Sequence, residues 1–219
     1  MIFTILQKMF TFGIIPTTRF KTNMPATERH PLEPFLPENA KILMLGSFPP
    51  PQARWSMEFF YPNWINDMWR IMGLIFHDDK KFFESKEEKR FNKEAIESFC
   101  RKQGVALYDT AREVCRLKDN AADKFLEIVV PTDIAGLISQ LPHCTAIVTT
   151  GEKATDEIVR IFNCAKPRVG EMTEIAIEGR IMHFWRMPST SRAYPLSLEK
   201  KADAYRSMLQ HEQVLLCGL

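Results

Sequence analysis

The sequence lacks the signatures of the commonest nucleotide-binding and hydrolytic enzymes. Its 219 residues contain no phosphate-binding Walker loop, no Gly-x-Gly-x-x-Gly fingerprint and no Gly-x-Ser-x-Gly elbow, which argues against nucleotide hydrolysis and serine-hydrolase chemistry. Neither the five cysteines nor the five histidines have the spacing of metal ligands. We therefore expect a protein with reduced cysteines, no cofactor and no metal.

An excess of charge of one sign is also missing. Twenty-nine Lys and Arg face 27 Asp and Glu, for a formal net charge of +2, so no global field indicates a nucleic-acid or membrane partner. A nucleic acid or a membrane would have to be bound by a local patch of basic residues. With 45% hydrophobic and 26% charged residues, the composition is that of a folded globular protein, and the length favours one domain.

Long apolar runs are confined to the first residues, where they are too short to cross a bilayer. Met1 to Ile15 is apolar, and a polar, basic stretch follows it, the reverse of the order in a secretory signal. We predict that residues 1–23 are an extension or a loosely attached segment, that Met24 is the functional start, and that residues 24–219 form a single domain.

Short apolar segments alternate with helical ones along most of the chain. Residues 41–45, 105–108 and 146–150 are predicted strands, and 174–177 and 180–185 form a predicted hairpin about Glu178-Gly179. Strands that alternate with helices indicate an α/β fold in three layers, α/β/α, with a central and largely parallel sheet that is covered on both faces.

The helical segments are less sharply defined. Residues 24–39 carry four prolines and are expected to be an extended lead-in. The predicted helices cover residues 66–76, 134–141 with Thr132 as the cap, 153–162 and 198–215, and amphipathic helices are expected across 79–102.

Four loops follow the predicted strands, at 46–51, 109–112, 151–153 and 187–192. Ligands of parallel sheets bind at the carboxyl ends of the strands, so these loops are the expected site. The last loop presents a proline, three hydroxyl residues and Arg192, a pattern that suits a phosphodiester backbone. An ordinary Ser/Thr helix cap before Pro195 explains the same pattern.

Taken in order, these segments resemble the uracil-DNA glycosylase superfamily, most closely its mismatch-specific and hypoxanthine-DNA glycosylase-like branches. The resemblance spans residues 41–209 and rests on Leu45-Gly46-Ser47-Phe48-Pro49, an aromatic stretch that ends at Tyr61-Pro62, Asn66-Asp67-Met68-Trp69 and Met187-Pro188-Ser189-Thr190-Ser191. It implies the same three-layer fold and a DNA glycosylase that removes a deaminated or mismatched base of the uracil or hypoxanthine type.

The sequence departs from the family pattern at several points. The first loop has Ser47 and no catalytic Asn or Asp, and Thr149-Thr150-Gly151 replaces an Asn-Gly that contacts the base in several relatives. Three residues separate Pro62 from Asn66, so that Asn63 competes with Asn66 for one role. We favour Asn66 because its distance to Trp69 is preserved. Arg192 stands where the hypoxanthine-like branch often has proline.

The resemblance also implies roles for individual residues. The implied catalytic residues are Asn66 and Ser47; the implied base pocket contains Gly46, Phe48, Pro49, Phe59, Phe60 and Asn63; and the implied DNA-binding residues are Pro188, Ser189, Thr190, Ser191 and Arg192. An amide suits this chemistry because it can donate to the departing base and accept from water. An aromatic platform, Phe48 or Phe59, would stack the flipped base, although Phe59 and Phe60 are equally explained by core packing.

No lysine lies within the motifs, so a Schiff-base lyase step is not expected. The implied protein is a monomeric, monofunctional enzyme with damaged or mismatched DNA as its partner, no membrane and no cofactor. It would work in the cytoplasm, with the nucleoid in a bacterium. The alternatives are a non-catalytic nucleic-acid-binding protein on the same scaffold and, less favoured, a glycosidase of free nucleosides.

Overall fold

The computed structural model describes residues 26–86, 88–117 and 125–215. The predicted extension at residues 1–23, the start at Met24 and Cys217 lie outside them, so the domain boundaries stay predictions. In chain order, the strands are β1 (Thr27–Arg29), β2 (Ile42–Gly46), β3 (Val105–Asp109), β4 (Ala111–Arg116), β5 (Leu126–Pro131), β6 (Ala146–Thr149), β7 (Glu171–Ile177) and β8 (Arg180–Arg186). The α-helices are α1 (Met68–His77), α2 (Lys93–Gln103), α3 (Ile134–Ser139), α4 (Glu152–Phe162) and α5 (Leu198–His211).

A five-stranded sheet forms the centre of the fold, in the order β3-β2-β6-β8-β7. Strands β3, β2, β6 and β8 are parallel, and β7 joins the edge as the antiparallel partner of β8. Every residue of β3 and β6 is buried, as are the first four of β2. Because neighbouring side chains point to opposite faces of a strand, both faces of the sheet are covered. The predicted α/β fold with a largely parallel sheet is confirmed.

The predicted hairpin is present as β7 and β8. Glu178 and Gly179 both have positive φ, at 49° and 74°, which is the backbone that the tightest hairpin turns require. The turn pairs Ile177 with Arg180, so the register follows directly from this dipeptide.

A second sheet was not predicted. Strand β4 pairs antiparallel with β1 on one side and with β5 on the other. Strand β4 includes Arg112, Glu113 and Arg116, a charge density more typical of a loop, and β1 lies within the proline-rich lead-in. The residues of β4 form a strand because β1 and β5 supply hydrogen-bond partners from distant parts of the chain.

The prediction of amphipathic helices across 79–102 is wrong in its first half. Helix α1 ends at His77, where Asp78 adopts a left-handed backbone, and no helix begins among the described residues until Asn92 caps α2 by accepting from the Ala95 amide at 3.0 Å. Phe82, Phe83 and Phe91 do not share a helical spacing. Phe83 is buried, whereas Phe82 is exposed and stacks on His77.

Several helix boundaries also differ from prediction: α1 begins at Met68 rather than Asn66, and α3 and α5 end earlier than predicted. Helix α3 ends at Ser139, and its cap is Asp133, which accepts from the Gly136 amide at 2.9 Å. Thr132 instead donates its hydroxyl to the Asp109 carbonyl at 2.7 Å. Helix α5 ends at His211 rather than Leu215. Among the described helices, none is long and apolar enough to span a bilayer.

Candidate active site

A cleft of about 440 Å³ opens at the carboxyl edge of the parallel strands. Gly46 and Asp109 end the paired strands β2 and β3, and Thr150 and Gly151 follow β6. All four residues line the cleft. This is where ligands of open α/β sheets bind, and all four loops expected from the sequence reach it.

Most of the residues that the sequence singled out meet in this cleft. Its lining includes Gly46, Ser47, Phe48, Pro49, Phe60, Asn63, Asn66, Ser189, Thr190 and Ser191. Residues separated by more than 140 positions therefore share one surface, although the role of each stays a prediction.

Three singled-out residues lie elsewhere. Phe59 is buried in the core, where its ring packs against Phe35 and Trp69. Pro188 is buried, and its carbonyl accepts from the Tyr205 hydroxyl at 3.0 Å. Arg192 pairs with Asp67 and borders a separate cavity.

The Asn66 side chain is held in place through its carbonyl oxygen. Asn66 Oδ1 accepts from the Met68 backbone amide at 2.9 Å, and the Asn66 backbone amide donates to the Asn63 carbonyl at 2.8 Å. A backbone bridge pairs Asn66 with Ser191. No hydrogen bond among the described residues uses Nδ2, so the donor end of a fixed amide is left for a ligand.

Asn63, the competing amide, is oriented differently. Its Oδ1 accepts from the Ile65 amide at 3.1 Å and closes a local turn. Both asparagines line the cleft, but only Asn66 lies at the start of a helix and is bridged to the opposite loop.

Asp109 and His30 form a pair at the cleft that sequence reasoning missed. His30 Nε2 lies 2.9 Å from Asp109 Oδ2, and because a carboxylate only accepts, the ring nitrogen donates. His30 Nδ1 lies within hydrogen-bond distance of the Leu32 backbone. No described residue bonds Asp109 Oδ1. The carboxylate is thus fixed through one oxygen and leaves the other for a ligand.

Gly46 makes room for this carboxylate. A Cβ on Gly46 would overlap Asp109 Oδ1, because the two residues are directly paired across β2 and β3. Glycine at this position is therefore a packing requirement of the cleft.

We expect Gly46→Ala to displace the Asp109 carboxylate and to lower activity at the cleft by at least about tenfold, with a stability loss of about 1–3 kcal/mol from overpacking. Unfolding in urea and an activity assay measure the two effects. Gly151→Ala is the matched control, since a Cβ there meets no atom within 4 Å. Equal losses in both variants would contradict the packing argument.

Tyr61 and Thr150 add hydroxyl groups to the lining. The Tyr61 hydroxyl lies 3.0 Å from Thr150 Oγ1. Removal from water and the nearby charge of Asp109 raise the pKa of Tyr61, so its hydroxyl stays protonated at neutral pH. Tyr61 and Thr150 thus present a pair of hydroxyl groups to the cleft.

Aromatic side chains form part of the wall. Phe48 and Phe60 line the cleft and both contact the His30 ring, with centroids 5.3 and 6.2 Å away. Phe48 also packs with Ala111, Val114 and Leu126 from the second sheet. The second sheet therefore supports one wall of the cleft.

A buried ion-pair network joins the Asn66 segment to the serine-rich loop. Lys201 of α5, only 1% exposed, donates to Asp67 Oδ2 at 3.0 Å and to the Ser191 carbonyl at 2.8 Å. Arg192 lies 3.0 Å from the other oxygen of Asp67, and the Asp67 amide donates to the Thr190 carbonyl. These bonds fix the distance between the two halves of the cleft.

Replacing Lys201 by Met should destabilise the fold by about 3–5 kcal/mol, because it leaves Asp67 and the Ser191 carbonyl short of a buried partner. The neighbouring Lys200 is exposed, so Lys200→Met should change stability by less than about 0.5 kcal/mol. Chemical denaturation of the two variants tests this expectation. Similar midpoints would show that Lys201 does not hold the loops together.

The rim of the cleft carries an exposed cation and an exposed apolar residue. Arg54 lies in the short 3-10 helix Gln52–Arg54, and no described residue bonds its guanidinium. Ile65 is 55% exposed between the two asparagines.

No family profile matches the chain, and no curated protein does. Among solved structures, the chain is similar to the solution NMR structure of a candidate uracil DNA glycosylase from Methanosarcina acetivorans. The TM-score is 0.57 at 19% sequence identity, over 86% of this chain and 99% of the other. The two proteins share a fold.

Proposed function

We propose that this protein is a monofunctional DNA glycosylase that hydrolyses the N-glycosidic bond of a deaminated or mismatched base. The observation that carries the proposal is the cleft, where the free amide of Asn66 and the free carboxylate oxygen of Asp109 meet beside aromatic rings. The shared fold with the Methanosarcina protein agrees with it.

The dimensions of the cleft suit a single extruded base. A volume of about 440 Å³ is within the range of small-molecule sites, and one extruded base fits within it. An enzyme that acts on a base inside DNA must take that base out of the stack, at a cost of a few kcal/mol. Stacking on Phe48 or Phe60 would recover part of this cost.

Asn66 has the geometry needed to help the base depart. Cleavage of the bond leaves negative charge on the base, and a donor that is already aimed at this charge needs no reorganisation. Its Oδ1 is bound to the Met68 amide, which fixes the orientation of Nδ2. Asn66 would therefore stabilise the leaving base or orient the water that attacks the sugar.

Asp109 provides a means of recognising deamination. Loss of the amino group from cytosine or adenine converts the adjacent ring nitrogen from an acceptor into an N–H donor. A carboxylate accepts and cannot donate, so Asp109 Oδ1 would favour the deaminated base over its parent. His30 holds the carboxylate in place, and the protonated Tyr61 hydroxyl supplies a donor nearby.

The serine-rich loop would contact phosphates beside the flipped nucleotide. Ser189 and Ser191 line the cleft, and Arg192 is half exposed despite its pair with Asp67. Arg54 adds an unpaired cation on the opposite rim. Binding of a few phosphates does not require a large basic surface. The near-neutral net charge predicts that DNA affinity depends only weakly on salt concentration.

Duplexes that each contain one uracil, hypoxanthine, xanthine or mismatched thymine test the proposal, with enzyme in excess and alkaline strand scission as the readout. We expect scission at uracil or hypoxanthine only after alkali, since the enzyme has no lyase step. Binding without any product would support a non-catalytic nucleic-acid-binding protein. Base release from free nucleosides, without duplex binding, would support a nucleosidase.

A further inference from the structure

A second group of functional side chains lies at the opposite edge of the central sheet. His183 of β8 pairs with Ala146, the first residue of β6, so it lies at the amino end of the parallel strands, away from the cleft. His211 ends α5 and Glu212 follows it. Three ligand-type side chains from two elements are thus brought together by the fold.

The geometry of this cluster is close to that of a metal centre. His183 Nδ1 and His211 Nδ1 lie 2.8 and 3.0 Å from Glu212 Oε1, and the three ligand atoms are within 4.8 Å of one another. Nitrogen and oxygen ligands about 2.0–2.2 Å from a zinc ion are themselves separated by roughly 3 Å or slightly more. Small rotations of the two rings would therefore bring all three atoms into coordination distance.

The carboxylate has the supporting contacts that a metal ligand needs. Its side chain is 2% exposed, and it accepts from Trp185 Nε1 at 2.8 Å and from Thr145 Oγ1 at 3.1 Å. Burial alone would raise the pKa of Glu212, but the hydrogen bonds from Trp185 and the two histidines lower it. Neutral donors that orient a ligating carboxylate are a regular feature of metal sites.

The histidines leave the site open to solvent. Their side chains are 31% and 45% exposed, and the ring centroids are 5.2 Å apart. A metal ion can therefore reach the cluster, and water can fill a remaining coordination position. Among the described residues, no thiolate belongs to the cluster, which favours an ion that accepts imidazole and carboxylate together.

We propose that His183, His211 and Glu212 bind one divalent transition-metal ion of the zinc type. Each histidine would exchange its hydrogen bond to Glu212 for a bond to the metal through Nδ1. The metal would link β8 to the end of α5, the helix that carries Lys201. The site lies outside the cleft, so we assign it a stabilising rather than a catalytic role.

Spacing along the chain does not indicate this site, because the separation of His183 from His211 matches no zinc motif. The expectation of a protein without metal was based on spacing along the chain. Here the hairpin that carries His183 and the last turn of α5 create the cluster by packing. The proposal does not depend on glycosylase activity.

Zinc chloride titrated into the metal-free full-length protein tests the proposal by calorimetry. We expect one equivalent to bind and the thermal midpoint to rise with zinc concentration, since the ion binds the folded state. His183→Gln and His211→Gln should each weaken binding by more than about 100-fold, because loss of a ligand exceeds the 10–100-fold effect of an outer partner. Both positions are partly exposed, so these variants should fold.

His143→Gln is the matched control, because His143 is exposed and outside the cluster. It should bind zinc as the wild type does. Trp185→Phe, which removes only the outer donor, should weaken binding by about 10–100-fold. Absence of saturable binding at one equivalent, or equal affinity in the wild type and the two histidine variants, would overturn the proposal.

Discussion

Asn66→Ala lowers the rate of base release at least about 100-fold, which is about 2.7 kcal/mol of lost transition-state stabilisation. The amide is fixed before substrate arrives, because Oδ1 is bound to the Met68 amide and the backbone is bridged to Ser191. Its loss therefore removes an oriented donor rather than a flexible one. Single-turnover rates on the duplex that the wild type cleaves measure the effect.

The DNA affinity of Asn66→Ala shows whether the variant loses catalysis or DNA binding. The serine-rich loop and Arg54 do not depend on the Asn66 side chain, so affinity should stay within about threefold of the wild type, less than 0.7 kcal/mol. Asn63→Ala is the matched control, since its side chain closes a local turn. A large loss in Asn63→Ala with full activity in Asn66→Ala would reverse the two assignments.

The second large effect is expected at Asp109. Asp109→Leu should lower base release by about 10–150-fold, because it removes the carboxylate that His30 orients, a charge-assisted acceptor worth about 1.5–3 kcal/mol. Rates at saturating enzyme on hypoxanthine and uracil duplexes measure this loss. Unchanged rates on both duplexes would remove Asp109 from the site.

Asp109→Asn tests what the carboxylate recognises. An amide can both donate and accept, so this variant should narrow the preference for hypoxanthine over adenine by at least about tenfold, or about 1.4 kcal/mol. A uniform loss on all bases would instead assign Asp109 to the chemical step. His30→Gln should have a smaller effect than Asp109→Leu, because it only loosens the carboxylate.

Strands β2, β3 and β6 of the central sheet could be predicted because they are short apolar runs that are buried on both faces, and β7 and β8 because the turn between them has a local signal. Strand β4 could not, because its charged residues acquire strand partners only from β1 and β5. The helices across 79–102 were expected from dense mixed charge and an apolar stripe, but the phenylalanines in the first half of that segment lack a helical period. Local pattern thus predicted the elements that bury a continuous face and failed where distant partners decide the structure.

The residues of the cleft could likewise be predicted only where a local motif marks them. Asn66, the loop at Gly46 and the serine-rich loop could be found because each is a local motif beside a strand or helix. His30 is 79 positions from Asp109, and the pair exists only because the lead-in packs beside β3. In the sequence, Asp109 was indicated by its place at the end of a predicted strand and at the start of a predicted ligand-binding loop. Lys201 belongs to a helix of mixed charge, where nothing distinguishes a buried lysine from an exposed one.

The most direct test of the glycosylase proposal is chromatographic detection of the free base. Wild-type protein in excess over a duplex with a single hypoxanthine or uracil should release that base in equal amount to the abasic sites formed, with the strand intact before alkali. Asn66→Ala at the same concentration should release about a hundredth as much at early times. Duplex binding with no free base from either substrate would contradict the proposal.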